Sequence, residues 1–376
     1  MRTAPTGSGS ENHAGLPASG DPGFTAEVEA WFRRERRRLP WREPAGDGRS
    51  RDPYHALVSE FMLQQTQVSR VLEKFPLFIQ RFPSVECLAR ADEHDVLALW
   101  SGLGYYRRAR SLHAAAKAVV ERFGGRVPAE VEELVTLPGV GRYTAGAISS
   151  IAFGRPAPIV DGNVARVLMR IEGRDAPQTD PETVNWCWRR AGELATAAED
   201  PAAFNEGLME LGATVCTPRA PRCLYCPVRE RCVAFATDRQ DEIPPPKPRA
   251  RQSELHAAVV LVRDAGGRLL VERRPSVGLW ASLWQAPTLE RDDRPSRAGE
   301  LRAAFGLASV RKREAFTFKT THRIVRFTVY EGEAADPGNA EDPALPRAWR
   351  TAEEIAKLAL SNPQRRILLG APGAAS

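Results

Sequence analysis

The chain has 376 residues, 43% of them hydrophobic, and a formal net charge of +6. That length allows two or three domains with substantial cores; the basic balance favours anionic partners, a solvated arginine-bearing face being the alternative. No run of about 18 apolar residues is present to span a membrane, and no apolar signal core leads the chain, so a cytoplasmic location is expected.

Residues 1–23, rich in Gly, Ser, Pro and Ala, are expected to form a disordered tail. Phe24 to Arg38 reads as a basic amphipathic helix with Val28, Trp31 and Phe32 on one face, stopped at Leu39-Pro40-Trp41-Arg42. Pro53 opens an expected long helix from Tyr54 to Phe75, whose Glu60, Gln64 and Gln67 fall at i, i+4 and i+7. That stripe is either a solvent face or the wall of a polar pocket. Asp92 caps a short helix through Trp100; Ser101-Gly102-Leu103-Gly104 then turns into Tyr105-Tyr106-Arg107-Arg108 and a helix ending at Gly124-Gly125. Small residues, aromatics and arginines in one turn suit entry into a DNA groove, or simply two packed tyrosines.

The decamer Leu137-Pro138-Gly139-Val140-Gly141-Arg142-Tyr143-Thr144-Ala145-Gly146 ends one helix and begins another. Pro138 stops the first. Gly139 and Gly141 are expected to supply two positive-φ positions. The free N–H groups of the second helix, beside Arg142, form a backbone anion site suited to phosphate; a glycine turn without ligand is the alternative. The second helix is expected to end at Gly154. Asp161 stands at the N-cap of the next, as an ordinary cap or something more. Asp180-Pro181 opens another, and Glu206 lies on a helix from Pro201 to Gly212.

Cys216, Cys223, Cys226 and Cys232 follow with spacing C-x6-C-x2-C-x5-C, enough thiolates for one metal centre, either zinc or a four-iron, four-sulfur cluster. Cys87 and Cys187 read as core residues. Residues 236–253, with Pro244-Pro245-Pro246-Lys247-Pro248, are expected to be a semi-rigid linker. Beyond it the hydrophobic period becomes two: strands are expected at Leu255–Val262, Arg268–Glu272, Ala315–Thr320 and Arg323–Tyr330, and a helix at Thr351–Leu360.

In order, Ser59-Glu60-Phe61-Met62-Leu63-Gln64-Gln65-Thr66, Gly102-Leu103-Gly104-Tyr105-Tyr106, the decamer, Val160-Asp161-Gly162-Asn163-Val164 and the four cysteines resemble the MutY family of adenine DNA glycosylases, over roughly residues 24–370. The resemblance implies an all-α helix-hairpin-helix glycosylase core at 24–235, with an iron–sulfur cluster loop at 216–232, and an α+β Nudix-like lesion-recognition domain at 254–370. It implies a monomer that removes adenine mispaired with 8-oxoguanine or guanine from double-stranded DNA, associated with a bacterial nucleoid rather than a membrane. Glu60 would protonate the base, and Asp161 would stabilise the oxocarbenium-like sugar or form a covalent intermediate. Tyr143 and Asn163 would orient and enclose that site. Trp41, Arg42 and Glu206 match the family's adenine pocket; Gln65 and Tyr105 match residues inserted at the vacated or lesion position; Gly139, Gly141 and Arg142 match its DNA-backbone contacts. Cys216, Cys223, Cys226 and Cys232 would hold one [4Fe-4S] cluster, with the arginines of that loop touching phosphates. Thr320-Thr321-His322 stands where the family often has Phe-Ser-His, leaving Thr321 and His322 to read the lesion. No glutamate-rich Nudix helix follows Gly278-Leu279-Trp280, so a reader rather than a hydrolase is expected. The related endonuclease III group carries a lysine nucleophile where this chain has Tyr143, so strand cutting through a Schiff base is not expected. A glycosylase of other base specificity and a mismatch-binding protein are the alternatives.

Overall fold

A computed structural model describes residues 21–43, 51–246, 252–320, 322–334 and 346–370. The expectations for residues 1–20 and for Thr321 lie outside the described residues. The helices are α1 (Pro22–Glu35), α2 (Pro53–Leu63), α3 (Val68–Arg81), α4 (Val85–Ala89), α5 (Glu93–Leu99), α6 (Arg107–Phe123), α7 (Val131–Leu134), α8 (Arg142–Phe153), α9 (Gly162–Ile171), α10 (Pro181–Ala197), α11 (Pro201–Thr214) and α12 (Val233–Ala236). Strands β1 (Ser253–Val262), β2 (Leu269–Arg273), β3 (Trp284–Gln285) and β4 (Thr288–Arg291) precede α13 (Ala298–Phe305). Then come β5 (Leu307–Lys319), β6 (Arg323–Ala334), β7 (Arg347–Arg350), α14 (Ala352–Lys357) and α15 (Asn362–Leu369). No helix among the described residues is long and apolar enough to cross a membrane.

The chain groups into two compact units: residues up to Glu60 with Arg126–Pro248, and Phe61–Gly125 with the chain from Arg249 onward. This differs from a division at the expected 236–253 linker. Hydrogen bonds give the reason within the second unit: the Tyr106 hydroxyl donates to the Leu360 carbonyl at 2.6 Å, and Arg110 Nη2 donates to the Ala281 carbonyl at 2.9 Å.

In the first unit α1 begins at Pro22, two residues before the expected start, because Asp21 caps it by accepting from the N–H groups of Gly23 and Phe24. Phe24, Val28, Trp31 and Phe32 bury one face among Val167 and Leu168 of α9, Leu194 of α10 and Phe204, Leu208 and Leu211 of α11. The linker begins later than the expected residue 236, at the proline run itself. Ile243 is 1% exposed and packs with Ala165, Met169, Cys187 and Ala234, so the chain up to that point belongs to this core.

In the second unit the α3–α6 helices enclose Leu88, Val96, Trp100, Leu112 and Val119. The expected helix from Tyr54 to Phe75 is two helices. Gln65, at φ +52°, turns the chain between α2 and α3. The Phe61, Met62 and Gln64 carbonyls accept from the Arg108 guanidinium rather than from a continuing helix. The C-terminal part of this unit has a four-stranded sheet in the order β4-β1-β6-β5 and a three-stranded one in the order β3-β2-β7. Strand β1 runs parallel to β6 and antiparallel to β4. Its alternate residues enter two cores, Leu255, Val259 and Leu261 on one face and Ala258, Val260 and Val262 on the other. A strand covered on both faces explains its nearly unbroken apolar sequence. β5 is much longer than the expected Ala315–Thr320, and α13 and α15 were not expected.

Candidate active site

Glu60 lies on α2, whose Tyr54, Leu57, Val58 and Ser59 are also buried; a helix that is apolar nearly all round is a core helix. The Glu60 stripe is therefore not a solvent face, and it stops at Glu60, since Gln64 to Gln67 leave the helix. Glu60 is 5% exposed and its Oε2 has no hydrogen-bond partner. Burial, opposed by a hydrogen bond with Tyr143 and reinforced by the nearby Glu206 and Asp161 charges, raises its pKa to about 7. Burial and the surrounding carboxylates push the Tyr143 hydroxyl well above its ordinary value, which leaves it a hydrogen-bond donor to Glu60.

Tyr143 comes from the first turn of α8. Gly139 takes φ +76°, as the tight turn requires. Gly141 does not share that conformation: at φ −91°, ψ 176° it is the N-cap of α8, and an extended backbone there needs no glycine. Gly141 carries no side chain, so the cap position itself makes no side-chain hydrogen bond to the first turn of α8. The exposed Arg142 guanidinium sits 4.0 Å from the centre of the Trp188 ring.

Asp161 caps α9 and is more than an ordinary cap in its fixation. Its Oδ1 accepts from the N–H groups of Asn163 at 2.8 Å and Val164 at 2.7 Å, and its Oδ2 from Asn163 Nδ2 at 3.1 Å. The amide oxygen of Asn163 in turn accepts from Arg166 Nη2 at 2.9 Å. A Cβ on Gly212 of α11 would lie 2.7 Å from the Asn163 Cβ, so this close approach depends on glycine.

Glu206 is only 6% exposed and pairs with Arg42 Nε at 2.9 Å and with Arg51. Arg42 also donates to Glu210 Oε2 at 2.9 Å and lies 5.2 Å over the Phe32 ring. Glu210, one helical turn from Glu206, accepts from Arg37 Nε at 2.6 Å. Burial would raise the Glu210 pKa, but the hydrogen bonds and charges of Arg37 and Arg42 overcome it and hold the pKa at about 2. Trp41, beside Arg42, is buried. Sequence reasoning missed Arg37, Arg51 and Glu210 as parts of this network. Two glutamates at i and i+4 on a helix repel unless cations stand between them, and that signal was available at Glu206 and Glu210.

The structure thus brings Glu60, Tyr143, Asp161 and Glu206 within electrostatic reach of one another. Glu206 has two arginines, and Asp161 has three N–H donors at a helix N-terminus. Glu60 has neither, and one of its buried oxygens lacks a hydrogen-bond partner.

Cys216, Cys223, Cys226 and Cys232 line one cavity of about 390 Å³, counted with its opening to solvent. Arg170 Nη1 donates to Cys216 Sγ at 3.3 Å. Among the described residues no three Cys, His, Asp or Glu side chains are grouped so that they could hold one metal ion. The loop arginines are not uniformly available to phosphate. Arg231 pairs with Asp21 at 2.6 Å and Glu27 at 3.1 Å, and Arg229 pairs with Glu230. Cys187 is a buried core residue, as expected, whereas Cys87 is only half-buried.

Gln65 and Tyr105 are both exposed and both left-handed, at φ +52° and +49°. His322 stands exposed at the start of β6, where its carbonyl accepts from the Ser253 N–H at 3.1 Å. The Thr320 hydroxyl accepts from the Arg323 N–H at 3.0 Å and so belongs to the turn itself. Glu300 is the one carboxylate of α13, and it is engaged by Arg291, Arg294 and the Arg297 N–H.

Comparison with known proteins agrees with this architecture. The HhH-GPD superfamily base excision DNA repair protein family matches residues 58–192, and the NUDIX domain family matches 258–370. The adenine DNA glycosylase of Homo sapiens is 34% identical over 399 residues, covering 92% of this chain and 73% of that protein. That of Buchnera aphidicola is 33% identical over 268 residues, covering 71% and 75%. A solved thermostable thymine-DNA glycosylase aligns with a TM-score of 0.50 and 29% identity, over 57% of this chain and 96% of that one. The chain belongs to the MutY family of adenine DNA glycosylases, with a helical HhH-GPD core and a C-terminal Nudix-like domain.

Proposed function

We propose that the chain hydrolyses the N-glycosidic bond of adenine mispaired with 8-oxoguanine or guanine in double-stranded DNA. The observation that carries this reading is the buried Glu60 carboxyl, one oxygen of which has no hydrogen-bond partner, beside Tyr143 and Asp161; this setting raises its pKa to about 7. Adenine leaves poorly until a ring nitrogen is protonated, and a carboxyl protonated near neutrality supplies that proton. The target must first be flipped out of the stack. As the C1′–N bond breaks, its electron pair departs with the base, which takes the Glu60 proton. Asp161, held by its three donors, faces the cationic sugar as an ion or adds to C1′ until water replaces it. Water delivers hydroxide to C1′ and returns its proton to the Glu60 carboxylate. Tyr143 holds Glu60 by its hydroxyl, and no amine stands there to cleave the strand. Trp41, Arg42 and Glu206 would form the pocket for the extruded base, with Glu206 held by Arg42 and Arg51.

The four cysteines fit a [4Fe-4S] cluster better than zinc. Thiolates bind zinc at about 2.3 Å around a single ion, whereas these four surround a cavity without converging on one point. A cluster would supply a rigid tie for the 216–232 loop and takes no step in hydrolysis. Brown colour with visible absorption and bound iron supports this; a colourless protein with bound zinc overturns it. The Nudix-like domain is read as a lesion reader through Thr321 and His322. Engagement of Glu300 by two arginines fits that reading, because a metal-binding carboxylate needs free oxygens.

The test is single-turnover base release from duplexes holding adenine opposite 8-oxoguanine, guanine or thymine, and thymine opposite guanine, with and without alkali. The expected result is adenine release opposite 8-oxoguanine, with strand breaks mainly after alkali. Thymine release would favour the other base specificity, and intact binding without any release would favour a mismatch-binding protein.

A further inference from the structure

Arg108 is a buried cation with an unusual set of partners. It is 9% exposed. Its Nη1 donates to the carbonyls of Phe61 at 3.0 Å, Met62 at 3.0 Å and Gln64. Its Nη2 donates to Thr66 Oγ1 at 2.8 Å and to the carbonyls of Leu103 at 3.1 Å and Gly104 at 3.2 Å. None of these acceptors is a carboxylate. They belong to the C-terminal end of α2 with the turn that follows it to Thr66, and to the turn 102–105; each turn presents one exposed residue with left-handed backbone, Gln65 in the first and Tyr105 in the second. Two further bonds join and brace the turns: the Thr66 hydroxyl donates to the Leu103 carbonyl at 3.3 Å, and Trp100 Nε1 donates to the Gly104 carbonyl at 3.1 Å. The guanidinium also lies between aromatic rings, 5.6 Å from the Trp100 centroid and 5.4 Å from the Tyr105 centroid.

Left-handed backbone at non-glycine residues is unfavourable and persists only where the surroundings over-determine it. Here the carbonyls flanking Gln65 and Tyr105 converge on a single planar fork. We propose that Arg108 is a positioning residue that clamps the two turns into one rigid wedge and so fixes the spacing of Gln65 and Tyr105 for insertion into DNA. The proposal rests on the functional reading above, which makes these two residues the ones that enter the duplex. Its advantage to the enzyme is preorganisation: wedge residues already ordered lose less freedom when the base is extruded. Lysine cannot replace the clamp, because one ammonium offers three donors from a point and cannot span acceptors on both turns.

The test uses the full chain and a duplex with 2-aminopurine as the target base opposite 8-oxoguanine, whose fluorescence rises when the base unstacks. At saturating protein, Arg108→Lys is expected to bind the duplex but to lose about tenfold in the rate of base opening. In the Gln65→Ala/Tyr105→Ala background the same substitution is expected to add nothing, because a residue that acts through the wedge is silent once the wedge is gone. Should Arg108→Lys melt well below the parent, Thr66→Val takes its place, since it removes the hydroxyl bridge and keeps the shape. Opening as fast as the parent, or a loss that adds in full to the Gln65→Ala/Tyr105→Ala loss, overturns the clamp. Failure of the parent protein to release adenine would overturn the functional reading instead, and the fluorescence arm would still judge the clamp.

Discussion

Glu60 and Glu210 are the same side chain in nearly the same degree of burial, 5% and 1% exposed, yet their protons behave oppositely. Glu60 holds its proton to about 7, whereas Glu210 gives it up at about 2. Burial raises both. What separates them is the company of cations: Arg37 and Arg42 hydrogen-bond and charge-pair with Glu210, while Glu60 has a tyrosine hydroxyl, faces other carboxylates and feels Arg51 only as the weakest of these influences. A carboxyl is kept protonated near neutrality here by the lack of a directly paired cation as much as by the removal of water.

The largest effect should come from the member of the pair that carries the proton. Glu60→Gln keeps the shape and loses the acid, so adenine release should fall by about a hundredfold or more while DNA binding persists; retained cleavage in single-turnover assays would break the contrast. Asp161→Asn keeps the helix cap, since the amide oxygen still accepts from the Asn163 and Val164 N–H groups, but removes the carboxylate proposed to face the sugar cation. Release should again drop by about a hundredfold, with a small loss of Tm because the new amide nitrogen cannot accept from Asn163 Nδ2. Asp161→Ala should in addition lose about 1 kcal/mol with the cap. Glu210→Gln leaves Arg37 and Arg42 facing a neutral amide, and chemical denaturation should show a loss of about 3 kcal/mol.

The pH dependence of stability sharpens the same contrast. The Glu60 pKa lies above its unfolded value, so its contribution is fully present below about 4.5 and is lost as pH rises through about 7. The Glu210 pKa lies below its unfolded value, so its contribution is present above about 4.5 and is lost as pH falls through about 2. Melting of Glu60→Gln against the parent should therefore show the variant gaining relative stability between pH 5 and pH 8. A constant difference would contradict the assignment.

Much of this site could be read from the sequence, and the parts that could not have physical reasons. The decamer, the cap at Asp161 and the cysteine spacing are local patterns, and each appears as a turn, a capped helix or a shared cavity. The partners that set protonation are not local. Arg42 reaches Glu206 and Glu210 across more than 160 residues, and no periodicity reports such a pairing. The break between α2 and α3 was illegible for the same reason, because Gln65 turns where Arg108 takes the carbonyls that a helix would use. Gly141 was misread as left-handed because glycine at an N-cap and glycine at a positive φ look alike in one letter. β1 was legible as a strand, but its cover on both faces was not, since α13 has too short an apolar pattern to announce itself.

The most direct measurement is the pH dependence of single-turnover adenine release opposite 8-oxoguanine, from pH 5 to 9, on the parent protein and on Glu210→Gln. If Glu60 is the acid, the parent rate falls as pH rises through about 7, and Glu210→Gln keeps a descending limb. A parent rate that stays level to pH 9 would contradict the protonated Glu60 on which the account depends.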